Sequence, residues 1–485
     1  MELHWKILLQ RQGTDQPVPV CSVKRPVNGA TPADFGLSLA EARQLLATLQ
    51  QLVTQDQINA YDKLRRNCRE CGRYRRIKDW RPRTFSTALG RVQVKVPRVV
   101  SCLCTPEPYG DNGDSISLRF SECSIEPLLP TRRTPELAYF CAKHGASVSY
   151  REAARSVADL AGLPRLSHTT VRKETVQCGE YVENEQFRIG WLAGGRKRNR
   201  ASHLRIAIDG TVLSANQFQE VRKFEVIAGR VERDGQMARR FVSALQRPSL
   251  ARVLVAGALD QCGWVPTTLI DAISDGARGM RSLVTSIAPR VSPRILDWFH
   301  ISMKMQAIRS SICAYNYFSR RPEIMLRSQR LLVRARDALW RGRADTAIEM
   351  LRTLATSLAI AAEELTFFYQ LASGTAYRAT VRLLTFLEHN RKDLVDYQRA
   401  RMGGRRVSSA SAESVMNHLI NRRLSKRQQM RWSMKGAHYL LQTRVELLDG
   451  RLESCFRDRY PHFRSPEAVR LKTNTPPLFV RSRHL

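Results

Sequence analysis

Two apolar runs in the chain each lead into an aspartate: Leu204-Arg-Ile-Ala-Ile-Asp209-Gly and Thr268-Leu-Ile-Asp-Ala-Ile-Ser-Asp275-Gly. A buried strand that ends on Asp-Gly presents a carboxylate at the rim of a sheet. Two such rims offer oxygen ligands to a hard divalent cation. The charge balance suggests the substrate, because 79 Lys+Arg stand against 44 Asp+Glu, a net charge of +35, and a chain this basic attracts polyphosphate. The implied chemistry is phosphodiester cleavage or transfer of the nuclease or transposase kind. It would run on two Mg²⁺ (or Mn²⁺) ions about 3.5 to 4 Å apart, which activate the entering oxygen and relieve charge on the leaving one.

Two metal ions call for a third acid. Glu413 is the candidate, since Ser409-Ala-Ser-Ala-Glu-Ser-Val-Met-Asn417 puts it in the first turns of a helix that returns after a long basic insert. Glu363 and Glu364 inside that insert, and Glu446 and Asp449 farther along, compete for the same role. Asp271 lies four residues before Asp275, still within the strand, and ranks below it. Asp297-Trp-Phe-His300 supplies an auxiliary acid and imidazole three residues apart, on a fifth strand or just past it. There His300 could touch a phosphate or brace a ligand carboxylate.

A second constellation is built of sulfur. Cys68-Arg-Glu-Cys71 and Cys102-Leu-Cys104 flank a stretch with strand alternation at Gly90-Arg-Val-Gln-Val-Lys-Val96. Two close cysteine pairs separated by the length of a hairpin have the layout of a zinc ribbon, with one structural Zn²⁺ in a thiolate tetrahedron. The second pair is C-x-C rather than C-x-x-C, which departs from the usual knuckle, and Cys123 is the substitute ligand if the register differs.

The elements that must position these groups follow from caps and periodicity. Prolines and polar residues through about residue 35 predict an irregular arm or edge strand. Ser38-Leu-Ala-Glu41 is a capping box opening a helix to about Leu64. Thr134-Pro135, Ser149-Tyr-Arg-Glu152 and Ser167-His-Thr-Thr170 open three further helices, the last two separated by Gly162-Leu-Pro164. Helices of this kind suit a helix-turn-helix, with Ser167, His168, Thr169, Thr170, Arg172 and Lys173 at the tip facing DNA. The linker cations Arg196, Lys197, Arg198 and Arg200 add phosphate contacts. Three strands, a helix and a fourth strand then carry the two aspartates in the order of an RNase H-like sheet, and Arg294 to His300 continue it as a fifth strand.

The expected fold class is therefore an α/β RNase H-like catalytic core with a long all-α insertion, preceded by an N-terminal helical, zinc-ribbon-like and helix-turn-helix DNA-binding region. The expected boundaries are 1–66 for an arm and helix, 67–125 for the cysteine β module, and 126–200 for the helical DNA-binding region with its basic linker. Residues 201–300 form the first part of the core, 301–407 the helical insertion, 408–460 the final core helices and 461–485 a loose tail. A chain of 485 residues splits into roughly three domains, and its 43% hydrophobic content suffices for proper cores. No stretch approaches the roughly 20 apolar residues that span a bilayer, and the N-terminus lacks the features of a secretory signal. A cytoplasmic protein with mostly reduced cysteines, no membrane partner and double-stranded DNA as ligand is the expectation.

Ile208-Asp-Gly-Thr, Phe224-Glu-Val-Ile-Ala-Gly, Ile273-Ser-Asp-Gly-Ala, Leu296-Asp-Trp-Phe-His-Ile301 and Ala412-Glu-Ser-Val-Met-Asn-His-Leu-Ile-Asn421, followed by Lys426-Arg-Gln-Gln-Met-Arg-Trp432, resemble the ISKra-type transposases of bacterial insertion sequences. These are similar in turn to the Mutator-like DDE transposases. The resemblance covers about residues 38 to 450 and is most specific at the Asp-Trp-Phe-His and Gln-Gln-Met-Arg-Trp blocks. It implies catalytic roles for Asp209, Asp275 and Glu413, with Asp297 and His300 matching an acid-x-x-His signature of related superfamilies. It further implies binding of terminal inverted repeats, 3′-end nicking and strand transfer into target DNA, by a homodimer or larger assembly at the bacterial nucleoid. An RNase H-like nuclease or resolvase that joins no ends, and a non-catalytic DNA-binding regulator, are the alternatives.

Overall fold

The computed structural model describes residues 1–13, 16–68, 70–102, 104, 121–123, 125–126, 131–192, 200–216, 218, 220–233, 237–245, 247–276, 278–288, 291, 294–318, 322–363, 367–408, 416–425 and 431–464. The chain groups into two compact units, Met1–Thr175 with the segment from Leu452 onward, and Val176–Arg451.

In the first unit the N-terminal arm is a hairpin, so of the two expectations, irregular arm or edge strand, the strand is the one observed. Strands β1 (Glu2–Leu9) and β2 (Val18–Pro26) pair antiparallel. The Glu-Leu-His-Trp-Lys-Ile alternation outweighs the prolines, which fall at the strand end and beside the Ile7/Leu8 register shift. Arg25 grips Glu41 through both guanidinium nitrogens, at 2.8 and 2.5 Å, fastening the hairpin to helix α1 (Leu39–Arg65). That ion pair holds the Glu41 carboxyl down near a pKa of about 2. The same Glu41 closes the capping box with Ser38. Strands β3 (Ile77–Thr87), β4 (Gly90–Val100) and β5 (Ser121–Cys123) make a three-stranded antiparallel sheet. Alternate residues Val92, Val94 and Val96 of β4 face a small core with Phe85, Ile125 and Ile58 of α1.

Helices α2 (Pro135–Ser147), α3 (Tyr150–Ala161) and α4 (His168–Leu192) follow. Ser149 caps α3 by accepting from the Glu152 amide, and Gly162 ends it in the left-handed conformation. The boundary between the units falls inside α4, between Thr175 and Val176. A last helix, Leu452–Arg459, belongs with this first unit and not with the final core helices. Phe456 and Phe463 meet the Tyr139 ring of α2 at 5.4 and 5.6 Å, so the ordered chain runs past Pro461. Residues 465–485 lie outside the described residues.

The second unit is built on a five-stranded sheet in the order β10-β9-β6-β7-β8. Its strands are β6 (His203–Ser214), β7 (Lys223–Arg233), β8 (Met237–Ser243), β9 (Leu269–Ser274) and β10 (Ile295–Leu296). The first three form an antiparallel meander, and β9 and β10 add in parallel to the free edge of β6. Leu204, Ile206 and Ile208 of β6 and Ile270 and Ala272 of β9 pack with helices α5 (Pro248–Gln261) and α6 (Arg278–Ile287). Ile273, Ile295 and Leu296 belong to a separate core shared with the helices that follow. These are α7 (Trp298–Phe318), α8 (Pro322–Trp340), α9 (Ala344–Glu363), α10 (Phe367–His389) and α11 (Tyr397–Met402).

One strand end matches and one differs from expectation. Strand β6 continues past Asp209 to Ser214, because β7 keeps pairing with it through Ser214↔Lys223 after β9 has ended. The fifth strand is only two residues long, since Asp297 caps a helix that starts at Trp298. After the helical segment a π-helix, Met416–Ser425, packs against β6, and helix Met434–Leu448 packs on β8. Among the described residues no helix is long and apolar enough to cross a membrane.

Candidate active site and candidate metal centre

Register alone aligns three carboxylates. Ile208 pairs with Ser274 on the parallel strands β6 and β9, so the next residues, Asp209 and Asp275, stand at one level. Leu296 pairs with the same Ser274, and the Asp297 amide donates to the Ser274 carbonyl at 3.0 Å, which brings Asp297 to that level on the outer strand. Side chains alternate along a strand, and the even positions of β6 and β9 face α5 and α6. Asp209 and Asp275 therefore share the other face. The row lies where the parallel strands end, the rim at which α/β sheets bind ligands.

The fourth member is His300 in the first turn of α7. Asp297 is fully buried; its Oδ1 accepts the Phe299 amide at 2.9 Å and its Oδ2 meets His300 Nδ1 at 2.7 Å. One carboxylate thus caps the helix and orients the ring, leaving Nε2 as the imidazole's other polar atom. The bond to Asp297 raises the His300 pKa against the opposing effect of burial, with the charges of Asp297, Asp209 and Asp275 adding to the rise. Burial raises the Asp209 pKa; the Gly210 amide and His300 oppose this, while Asp275 and Asp297 reinforce it. Four ionisable groups, three of them acids, thus act on one another electrostatically.

Packing fixes the row. The Tyr397 hydroxyl donates to the Leu296 carbonyl at 2.9 Å, and the Trp298 ring lies 4.9 Å from Trp340 and 4.8 Å from Tyr397. Trp298 is thus a packing residue within the Asp-Trp-Phe-His block. Gly276 takes a φ of +89°, and a Cβ there would come within 2.6 Å of the buried Asn390 side chain, which follows α10. Only glycine lets the chain turn immediately after Asp275. Asp271 is occupied otherwise, bonded to Arg405 at 2.8 Å and to His203 at 3.0 Å.

Glu413 lies outside the described residues, as do Glu364, Arg196, Lys197 and Arg198. Of the other third-acid candidates, Glu363 ends α9, with a side chain that is not described. Glu446 is buried against Arg451 at 2.9 Å, and Asp449 binds Arg240 on β8, the sheet edge opposite β10. The π-helix that follows Glu413 is held by groups the sequence reading missed. Arg444, whose burial lowers its pKa to about 10, donates to the Leu419 carbonyl at 2.8 Å. Trp432 donates its ring N–H to the Leu424 carbonyl, and its backbone bridges to Ala215 just past β6. A hydrophobic pattern cannot announce either contact, because both use polar groups on segments 8 to 25 residues apart. Near the tip of α4, Ser167, His168, Thr169, Arg172 and Lys173 are exposed and Thr170 is half-buried; Arg200 is exposed as well.

The cysteines converge most tightly. Among the described residues, Cys68, Cys71, Cys102 and Cys104 are the one set of His, Cys, Asp or Glu whose ligand atoms all lie within 4.8 Å of one another. The row of acids is more open than that. Cys68 Sγ sits 3.3 Å from Cys104 Sγ, and Cys71 Sγ sits 3.3 Å from Cys102 Sγ. Cys68 and Cys71 occupy a tight turn closed by the Cys68 amide on the Arg73 carbonyl at 2.8 Å, with Gly72 at φ +73°. Cys102 and Cys104 follow directly on β4. Backbone donors at Cys71, with the Cys104 thiol, lower the Cys68 pKa to about 6, whereas the other three thiols push Cys104 upward. Cys123 is buried in the sheet core instead. Four sulfurs at this spacing fit Zn²⁺, whose thiolate bonds are about 2.3 Å. A scan against known protein families finds no match, and no curated protein matches the sequence.

Proposed function

We propose that the protein is a DNA transposase of the DDE type, with Asp209, Asp275 and Glu413 as its metal-binding acids, an RNase H-like core and a structural zinc in the first unit. The observation that carries this reading is the row of Asp209 and Asp275 on adjacent parallel strands, completed by the Asp297–His300 pair, in a chain of net charge +35. A meander of three strands, a helix, and a fourth strand returning beside the first agrees with an RNase H-like sheet. Helices α7 to α11 then correspond to the insertion before the third acid. Support for Glu413 comes from the π-helix that begins at Met416 and packs on β6, the strand of Asp209. The engagement of Glu446 and Asp449 elsewhere points the same way.

In this reading Asp209 and Asp275 bind from one face of the sheet. Asp297 orients His300, and the raised pKa of that ring lets it offer positive charge to a phosphate oxygen. Bound Mg²⁺ would activate the attacking hydroxyl or water and stabilise the leaving oxygen. The exposed residues Ser167, His168, Thr169, Arg172 and Lys173 are the proposed base and phosphate contacts, with Arg200 beside the linker.

The test is incubation of the full chain with Mg²⁺ and DNA carrying the two ends of the element that encodes it. Nicked 3′ ends joined to a second DNA are expected. Cleavage without joining would leave a nuclease or resolvase, and binding without cleavage a regulator. Within the same assay, Gly276→Ala is expected to slow cleavage by about 10²-fold, the scale of a misplacement of about 1 Å, with DNA affinity unchanged. An unaltered rate would mean that the turn at Gly276 does not position Asp275.

A further inference from the structure

An apolar groove in the first unit has no part in any of the chemistry above. Its volume is about 550 Å³, and Leu3, Trp5, Ile7 and Val23 of the β1–β2 hairpin line it together with Phe35 and Leu37. Leu3 and Trp5 are 44% and 49% exposed, Leu37 50% and Phe35 81%. Single exposed apolar residues are ordinary, whereas a contiguous set marks an interaction surface. The strand that carries the set also has a free edge. Among the described residues β1 pairs with β2 alone, α1 packs against β2, and every residue from Glu2 to Lys6 is exposed. The Val27 amide donates to the Met1 carbonyl at 3.1 Å, which makes these two a hydrogen-bonded pair of the ladder. Such pairs alternate along antiparallel strands. Leu3, Trp5 and Ile7 therefore turn their backbone groups to β2, while Glu2, His4 and Lys6 turn theirs outward. An exposed, largely apolar strand of eight residues with outward N–H and C=O groups is a template for another strand.

We infer that this edge and groove bind the same surface of a second copy of the chain, β1 running antiparallel to β1 about a two-fold axis at His4. The residues of β1 are self-complementary in that arrangement. Glu2 faces the partner's Lys6, twice over by symmetry, and Leu3 faces the partner's Trp5. Odd positions meet odd positions, so the apolar faces of both hairpins lie on one side of a four-stranded sheet. The floor of the groove then runs on from one copy into the other, and the Trp5 ring of each copy covers apolar surface of the other. The next register of the same parity sets Trp5 on Trp5 and Glu2 against Leu8, which leaves the charges unmatched. Glu2 also reaches Lys24 at 3.7 Å, but both side chains are more than half exposed, and a pair of that kind is weakly held. An apolar peptide from another protein would need no match to Glu2 and Lys6. The self-match is what favours a second copy, and the surface requires neither metal nor DNA.

The experiment is sedimentation of the full chain, freed of nucleic acid, in reductant at about 0.15 M salt, where exposed charges are only partly screened. A concentration-dependent dimer is expected. Lys6→Glu sets like charges opposite each other at both ends of the pairing and should weaken dimerisation about tenfold. Glu2→Lys should do the same, and the two changes together should recover the parental constant. The single changes move net charge in opposite directions, so net charge cannot account for both losses and their joint recovery. His4→Pro removes an outward amide and leaves the bonds of Leu3 and Trp5 to β2 in place. It should be monomeric over the same concentrations with its melting temperature kept; should it melt early, the charge variants carry the test. A monomeric parent overturns the proposal, whatever else covers the groove. A dimer untouched by all three substitutions overturns it too, as do single losses that the combined variant does not recover. DNA cleavage by a parent that fails this test leaves the transposase reading standing, and a parent that passes it while cutting no DNA keeps this surface and loses that reading.

Discussion

Asp209→Asn is expected to bind DNA as the parent does and to cut it, in the presence of Mg²⁺, on the order of 10³-fold more slowly. The position explains the size of the effect. Asp209 sits where β6 loses its parallel neighbour while keeping its antiparallel one, so the backbone on either side is pinned by β7 through Asp209↔Ala228. Asparagine preserves that geometry and the volume, and removes only the anionic oxygen. Relief of charge on the entering and leaving oxygens is worth several kcal/mol, and each factor of ten in rate is about 1.36 kcal/mol. The variant should also be no less stable than the parent, because burial already raises the Asp209 pKa and an amide carries no charge to desolvate. Binding assayed by gel shift, cleavage by labelled ends and thermal melting separate these effects. Cleavage at the parental rate would remove Asp209 from the chemistry and, with it, the metal reading of the row.

The parts that were legible in the sequence share a physical cause. Strands β6 and β9 carry short, largely buried apolar stretches, Leu204–Ile208 and Ile270–Ile273, and β7 opens with a buried–exposed alternation, patterns that announce a strand whatever packs on it. Ser38 and Glu41 form their capping box from residues three apart, as local chemistry does. What escaped depends on partners distant in sequence. Strand β10 ends after Leu296 because Asp297 caps a helix, and period-2 patterning cannot weigh a cap against one more strand residue. Arg405 reaches Asp271 across 134 positions, and Asn390 closes on Gly276 from the end of α10. The packing of the last helix on α2 is of the same kind, since Phe456 finds Tyr139 only in the folded chain. The N-terminal hairpin was readable from its alternation, and proline count was the weaker signal. In the row itself, Asp209 and Asp275 were visible as types at strand ends, whereas the level they share with Asp297 is a property of register alone.

Cys68→Ser is expected to abolish stoichiometric zinc binding and to melt the β3–β5 module well below the temperature of the parent. The core there is small: the β-sheet and loop side chains Phe85, Val92, Val94, Val96, Cys123 and Ile125, with Ile58 and Tyr61 from α1. A core of that size contributes little on its own. The turn holding Cys68 and Cys71 and the chain leaving β4 at Cys102 are joined by the sulfur cluster, so loss of the metal frees both. Apparent binding free energies of structural Zn²⁺ are about 10–16 kcal/mol in small peptides, and even a fraction of that exceeds what the sheet core provides. Serine keeps the size of the side chain and removes the soft ligand that zinc prefers over a hydroxyl. Metal analysis after purification without chelator should give one zinc per parent chain and less than a tenth of that in the variant. Cys123→Ala serves as the control, since its thiol faces the sheet core and its loss should cost stability while leaving zinc content whole. Four titratable thiols and no zinc in the folded parent would overturn the metal site and leave a reduced cysteine cluster in its place.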